Sequence, residues 1–346
     1  MTARARFAGL LRRVTGRGGP GGIILLYHRI APRGVDPWAL AVTPEEFDAQ
    51  LQILRQFGTP MGLREFQRKR NHKGFRDRAV VVTFDDGYAN NLTEAKPLLA
   101  RHGVPATVFV TAGMIDRPRE FWWDELDRLL LQPGTLPKTL TWSFGGAAQA
   151  WTLGQTATYT EAEALAHRGW RAWDAECPTA RHTLYRALYE QLFPLDDAAR
   201  REHLDRLVEW AGCSPIGRDT HRLLRSEEVR MLAADGLVEI GGHSVSHASL
   251  GALRPRRQWQ EIADGKRCLD DLLGAPVTSF AFPFGRPSDY TRETIALVRA
   301  AGFTVACTTT AAPVRRRTDS FELPRWTVQA GEGAHFEQWM HTISHD

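Results

Sequence analysis

What most limits how this chain can fold is a repeated unit: a short apolar run, a polar turn, then a stretch of helical periodicity. The runs are Ile23-Ile24-Leu25-Leu26, Ala79-Val80-Val81-Val82-Thr83, Thr107-Val108-Phe109-Val110, Leu237 to Ile240, Ser279-Phe280-Ala281-Phe282 and Thr304-Val305-Ala306. Such runs read as buried strands. Helix signals lie between them. Thr43-Pro44-Glu45-Glu46 supplies an N-cap, a proline at the first helical position and a capping box. Further helices are expected from Leu92 to Arg101 with Gly103 as C-cap, from a Ser226 cap through Leu232, from Trp259 to Leu273 and over 292–300. Strands alternating with helices predict parallel pairing through crossover helices, an α/β fold. Leu323 to Val328 is a last extended piece.

The rhythm stops between about 116 and 222. This stretch holds Trp122, Trp123, Trp142, Trp151, Trp170, Trp173 and Trp210, with helical patterns at 123–131 and 197–210, and reads as a mainly helical insertion. The expected organisation is a basic N-terminal segment, 1–20, and one α/β domain over 21–346 that carries the insertion. Arg4, Arg6, Arg12, Arg13 and Arg17, interleaved with Phe7, Leu10, Leu11 and Val14, give that segment two readings. It is either an amphipathic helix making peripheral contact with an anionic membrane or a plain basic tail. Nucleic acid is not an expected partner, because the rest of the chain is nearly charge-balanced. No apolar run approaches the ~20 residues that span a bilayer, and no hydrophobic signal core opens the chain. A cytoplasmic protein, with the inner membrane face as the alternative, is therefore expected. The four cysteines, Cys177, Cys213, Cys268 and Cys307, are scattered and are expected to be buried free thiols.

The chemistry-bearing residues share one placement. His28, the pair Asp85-Asp86, His243 and Pro283 follow the C-terminal ends of four different expected strands. In barrels of parallel strands that rim carries the active site. Asp85-Asp86 alone could be a helix-start acid pair complementing the dipole. His243 and His247, four apart, could converge on one metal from a helical turn. Two imidazoles and one carboxylate leave an open coordination position, the arrangement of a catalytic divalent site. The other carboxylate is free to act as general base. Spacing alone leaves open which aspartate does which.

Thr83-Phe84-Asp85-Asp86-Gly87-Tyr88, His243-Ser244-Val245-Ser246-His247 and Phe282-Pro283-Phe284-Gly285 resemble, in order, the first three motifs of the polysaccharide deacetylases. That family, carbohydrate esterase family 4, shares the NodB homology domain. The resemblance covers about 21–115 and 222–330. It implies a distorted (β/α) barrel and a divalent metal, usually zinc, with cobalt, nickel or iron as alternatives. By the resemblance Asp85 is the base, and Asp86, His243 and His247 bind the metal. The backbone N–H of Tyr88 stabilises the oxyanion, and Pro283 and Phe284 wall the substrate groove. The family's third motif begins with an arginine that orients the base. That arginine is missing here, and Arg325 is expected to supply the charge, with Arg286 as second candidate. No Leu-x-His acid is found near the C-terminus. Leu26-Tyr27-His28-Arg29 instead resembles a permuted subgroup of exopolysaccharide deacetylases acting on poly-N-acetylglucosamine, which makes His28 the acid. Trp122 and Trp123 are candidates for stacking on sugar rings.

The expected activity is hydrolysis of an N-acetyl group from a GlcNAc-like unit, in a polysaccharide or in a lipid-linked or oligosaccharide precursor. Two alternatives stand beside it. One is a deformylase or amidase acting on a small or lipid-linked sugar. The other is a carbohydrate-binding protein of the same fold without catalysis.

Overall fold

The computed structural model describes residues 21–72, 77–144, 146–331 and 333–345. The basic segment 1–20, with its two readings, lies outside them. The chain divides into two compact units, one of residues 21–30, 42–115 and 224–345, the other of 31–41 and 116–223.

In the first unit eight strands form one sheet. They are β1 (Gly22–Tyr27), β2 (Thr59–Pro60), β3 (Ala79–Phe84), β4 (Ala106–Val110), β5 (Val238–Gly242), β6 (Ser279–Ala281), β7 (Val305–Cys307) and β8 (Trp326–Thr327). The order is β7-β6-β5-β4-β3-β1-β8, with β2 also on β3, and every pair is parallel. The segment 323–328 curls this sheet towards closure. Leu323 exchanges backbone hydrogen bonds with Ala306 and Thr308 beside β7, while Val328 N–H donates to Leu26 O of β1, all at 2.9 Å. The result is the distorted (β/α) barrel that the strand–helix rhythm predicts.

Strand alternation sorts the core into two sets. Ile24, Ala79, Val81, Phe109, Ala281, Val305, Cys307 and Leu323 form one cluster, the barrel interior. Their neighbours Ile23, Leu25, Val80, Val82, Val108, Phe280 and Ala306 belong to the other, under the surrounding helices. The interior is narrow: a Cβ on Gly241 would sit 2.3 Å from the Phe109 ring.

The helices of this unit are α1 (Pro44–Phe57), α2 (Leu63–His72), α3 (Lys96–His102), α4 (Ser226–Ala233), α5 (Pro255–Leu273), α6 (Arg292–Ala300) and α7 (Gly333–His345). The Thr43–Glu46 capping box forms as the sequence reads, and Gly103 closes α3 in the left-handed region. Three details differ from the sequence reading. A π-helical turn, Asn91–Ala95, precedes α3. Ser226 is the first residue of α4, and Arg225 holds the cap position. Helices α2 and α7 were not anticipated.

In the second unit Trp122–Leu130, Ala180–Leu192 and Asp197–Ala211 are helices. It also carries an antiparallel hairpin, Thr139–Phe144 with Ala147–Thr152, and takes in residues 31–41, a segment far in sequence from the insertion at 116–222. Arg181 is its polar centre. The buried guanidinium donates to the carbonyl oxygens of Leu130, Gln132, Gly134, Thr156 and Ala157 at 2.7–3.2 Å.

All four cysteines are free, but only Cys307 is buried; Cys213 and Cys268 are exposed and Cys177 is half-buried. The expectation of four buried thiols fails because Cys213 follows the helix-ending Gly212 and Cys268 lies on the outer face of α5. Among the described residues no helix is long and apolar enough to cross a membrane.

Replacing Arg181 with Leu leaves those carbonyls without their shared donor. The expected loss, read by urea unfolding, is roughly 3 kcal/mol.

Candidate active site

The two-residue alternation that fills the barrel interior also builds the site. Ala79, Val81, Thr83 and Asp85 share a face of β3 and its extension, as Ile24, Leu26 and His28 do on β1. By the same count Gly241 leads to His243, Ala281 to Pro283, and Leu323 to Arg325. Apart from the row that ends in Pro283, the interior rows therefore end in polar side chains at the carboxyl ends of the strands. Register aligns them: Tyr27 pairs Phe84, and Asp85 N–H donates to Tyr27 O at 2.9 Å, which sets His28 beside Asp85.

Asp85 meets Arg325 in a bidentate fork. Nη1 donates to Oδ1 and Nη2 to Oδ2, each at 2.7 Å. The guanidinium is fully buried and otherwise satisfied: Nε donates to Thr308 O at 2.9 Å, Nη1 also to Thr83 Oγ1 at 3.2 Å, and Phe109 lies beneath it. Burial alone would raise the Asp85 carboxyl. The Arg325 charge, with His243 and His28 behind it, outweighs burial and holds it below the usual carboxylate range. Arg286 is exposed, and Arg325 already holds both Asp85 oxygens, so Arg286 is not the partner.

Asp86 leaves the extended conformation, at φ 76°, so it does not continue the strand's alternation. Asp86 Oδ1 lies 3.5 Å from His243 Nε2 and 3.2 Å from His247 Nε2. Four nitrogen and oxygen ligands on a tetrahedral ion at ~2.0–2.1 Å are about 3.4 Å apart, so the spacing suits such an ion. His243 Nδ1 donates to Ala281 O at 2.8 Å, leaving Nε2 its lone pair. Asp86 Oδ1 is buried and receives no hydrogen bond. Facing acceptors of this kind need a proton or a cation between them. Burial opposes ionisation of Asp86, but the two imidazoles outweigh it and bring the carboxyl far below its ordinary value. Burial lowers His247, whereas Asp85 and Asp86 together overcome burial at His243 and raise it.

The histidines do not come from a helical turn, as their spacing suggested. They flank a loop in which Ser244 (φ 62°) and His247 (φ 57°) are both left-handed. Among the described residues, four of the six non-glycine residues with positive φ are Asp86, Ser244, His247 and Phe284. At about 1–3 kcal/mol each, such conformations persist only where the surroundings enforce them, and they gather at functional sites. Sequence reasoning missed one enforcing residue, Glu261 of α5, whose carboxylate accepts from Val245 N–H, Ser246 N–H and Ser246 Oγ.

The remaining candidates fall as follows. His28 is half-buried; Asn91 Nδ2 donates to its carbonyl at 2.9 Å, and its charge contributes to lowering both aspartates. Tyr88 follows Gly87 (φ 83°) and its buried ring lies under Arg29. Pro283 is buried, and the Phe284 ring stands edge-on to His247 at 4.6 Å. Trp122 and Trp123 belong to the second unit and are only 6% and 5% exposed. Phe121 stacks on Trp123 at 4.4 Å, and Tyr189 and Arg200 cover Trp122. These rings serve that unit's core, and sugar stacking gains no support from their placement. A second group, Asp124, Asp127 and His221, could also hold an ion, but Arg218 Nη1 already donates to Asp127 at 2.7 Å.

The polysaccharide deacetylase family matches residues 72–144 and 200–306, just over half of the chain. The chain belongs to this family of N-deacetylating hydrolases, which are generally metal-dependent. YxkH of Bacillus subtilis (strain 168), which carries the family's name, is 28% identical over 314 residues, spanning 89% of this chain and 71% of its own. Among solved structures, IcaB from Ammonifex degensii superposes with a TM-score of 0.56 at 20% identity, covering 93% of this chain and 98% of that one. The Streptococcus pyogenes deacetylase PplD, in complex with acetate, gives 0.53 at 18% identity, covering 93% and 99%. At these identities the superpositions speak for the fold.

Arg325→Met strands a buried carboxylate and is expected to cost about 3–5 kcal/mol in urea unfolding, with Asp85→Asn/Arg325→Met recovering part of it. Both aspartates sit lower in the folded chain than the ~3.9 of free Asp. Their stabilisation is therefore complete above that value and lost as pH falls through the folded pKa. Acid unfolding should be shallower in the double variant.

Proposed function

We propose that this chain hydrolyses the N-acetyl group of a GlcNAc-like unit, in a polysaccharide or in a lipid-linked or oligosaccharide precursor. The observation that carries the reading is the split between adjacent carboxylates: Asp85 gripped by Arg325, Asp86 facing two imidazole nitrogens. Asp86, His243 and His247 would hold the ion; an N,N,O set with open positions favours zinc, and cobalt, nickel or ferrous iron accept the same donors. When bound, the ion would polarise the acyl carbonyl and bring a water's pKa towards neutrality, which a carboxylate as acidic as Asp85 needs if it is to act as base.

The other steps belong to the chain's own groups. Asp85 takes the proton of the attacking water, its orientation set by the Arg325 fork. The water oxygen bonds to the amide carbon, and the Tyr88 N–H donates to the carbonyl oxygen as that oxygen gains charge. His28, beside Asp85 on the neighbouring strand end, gives a proton to the amine nitrogen. The C–N bond then breaks, releasing acetate and the free amino sugar. Pro283 and Phe284 shape the wall on the His247 side. A deformylase would use every one of these groups and differ only in the acyl pocket, whereas a non-catalytic protein would have no use for an ionised, pinned Asp85.

Acetate release from N-acetylglucosamine oligosaccharides tests this. Asp85→Asn and His243→Ala are each expected to lose at least ~10³-fold in kcat/KM, and His28→Ala ~10²–10⁴-fold. Full activity in Asp85→Asn would sink the reading. Formate release from N-formyl substrates, with no acetate from N-acetyl ones, would replace it with the deformylase.

A further inference from the structure

We infer that Glu261 is a positioning residue: it holds the 244–247 loop in the shape that brings His247 to Asp86 and His243. This rests on reading those three residues as metal ligands. Glu261 is 6% exposed on α5. Its Oε2 accepts from Val245 N–H at 3.0 Å and Ser246 N–H at 2.8 Å, and its Oε1 from Ser246 Oγ at 2.8 Å. Successive N–H groups converging on an anion form a nest. The loop's carbonyls are held from another side. Ala112 N–H donates to Ser244 O at 3.0 Å and Gly113 N–H to Val245 O at 2.9 Å. Inside the loop, His247 N–H donates to Ser244 Oγ at 3.0 Å.

The loop is thus clamped on its donors by one carboxylate and on its acceptors by the 112–114 turn. Between the clamps, Ser244 and His247 keep left-handed backbones, which are uncommon for any residue other than glycine. Releasing the donor side lets these two residues relax, and the His247 imidazole swings with its backbone.

The chemistry of the anchor explains why it is a glutamate. A carboxylate is acceptor-only and meets three donors. Glutamine can still offer its oxygen to the two amides and its NH₂ to the Ser246 hydroxyl oxygen. Aspartate is one methylene short, and the helix cannot move in to compensate: at Gly265, one turn along α5, even a Cβ would lie 3.1 Å from Ser244.

The test is zinc affinity of the full chain, read by competition with a chromophoric chelator, with kcat at saturating zinc as second readout. Glu261→Ala is expected to weaken zinc roughly 10–100-fold. Glu261→Asp should behave similarly, while Glu261→Gln stays within several-fold of the parent. Thr294→Val is the control. It removes the Thr294 Oγ1 to Gln258 Oε1 bond (2.7 Å) that anchors the same helix, and should lower Tm while leaving zinc affinity unchanged. Parent-like zinc binding by Glu261→Ala overturns the inference, as does a Thr294→Val that loses zinc equally. If Glu261→Ala does not fold, equal affinities for the Gln and Asp variants overturn it. A parent chain that binds no zinc overturns the metal reading itself, a result distinct from these.

Discussion

The Arg325–Asp85 fork joins the two ends of the barrel's logic. Arg325 lies in the segment that draws β7 towards β1, and Asp85 extends the strand beside β1. A buried ion pair is seldom a net source of stability against a well-packed apolar pair. What it supplies here is definition. Two parallel bonds, a carbonyl, a threonine hydroxyl and a ring face leave the guanidinium one pose, and the carboxylate therefore one pose as well. The charge that fixes the position of Asp85 also keeps it ionised.

Strand alternation alone would carry Asp86 to the face opposite Asp85, so a break in that alternation is needed to aim it at His243 and His247. The left-handed Asp86 provides it, and Ser244, His247 and Phe284 repeat the device around the same spot. Strain is concentrated where ligands must converge from loops, while the strands beneath stay regular. The orthodox part of the fold, alternating side chains on parallel strands, delivers residues to the rim; the strained part aims them.

Much of this was legible in the sequence because the signals were local. Val80-Val81-Val82 followed by Asp85-Asp86, and Gly241-Gly242 followed by His243, announce strand ends bearing chemistry. The substitute for the missing motif arginine is legible as a candidate, Arg325 in Leu323-Pro324-Arg325-Trp326, and the structure sets its guanidinium on Asp85. What stayed hidden depended on three-dimensional context. Four-residue spacing suggested a helical turn for His243 and His247, since nothing in Ser-Val-Ser encodes two left-handed residues. Glu261 looked like any acid on a helix, because its partners are backbone amides fifteen or sixteen residues away. Trp122 and Trp123 looked like a sugar platform because exposure is not written in a sequence. Helix α2 is too charged to show an apolar stripe, whereas Phe336, Met340 and Ile343 on α7 do have helical spacing and could have been read.

The central claim is that one divalent ion binds at Asp86, His243 and His247 while Asp85 stays with Arg325. Anomalous diffraction at the zinc edge from zinc-loaded crystals tests it most directly. The expected map has one strong peak within ~2.0–2.2 Å of Asp86 and of both imidazole nitrogens, with the Arg325–Asp85 fork intact. A peak at Asp124, Asp127 and His221 instead, or Asp85 turned away from Arg325 onto the ion, would contradict the account.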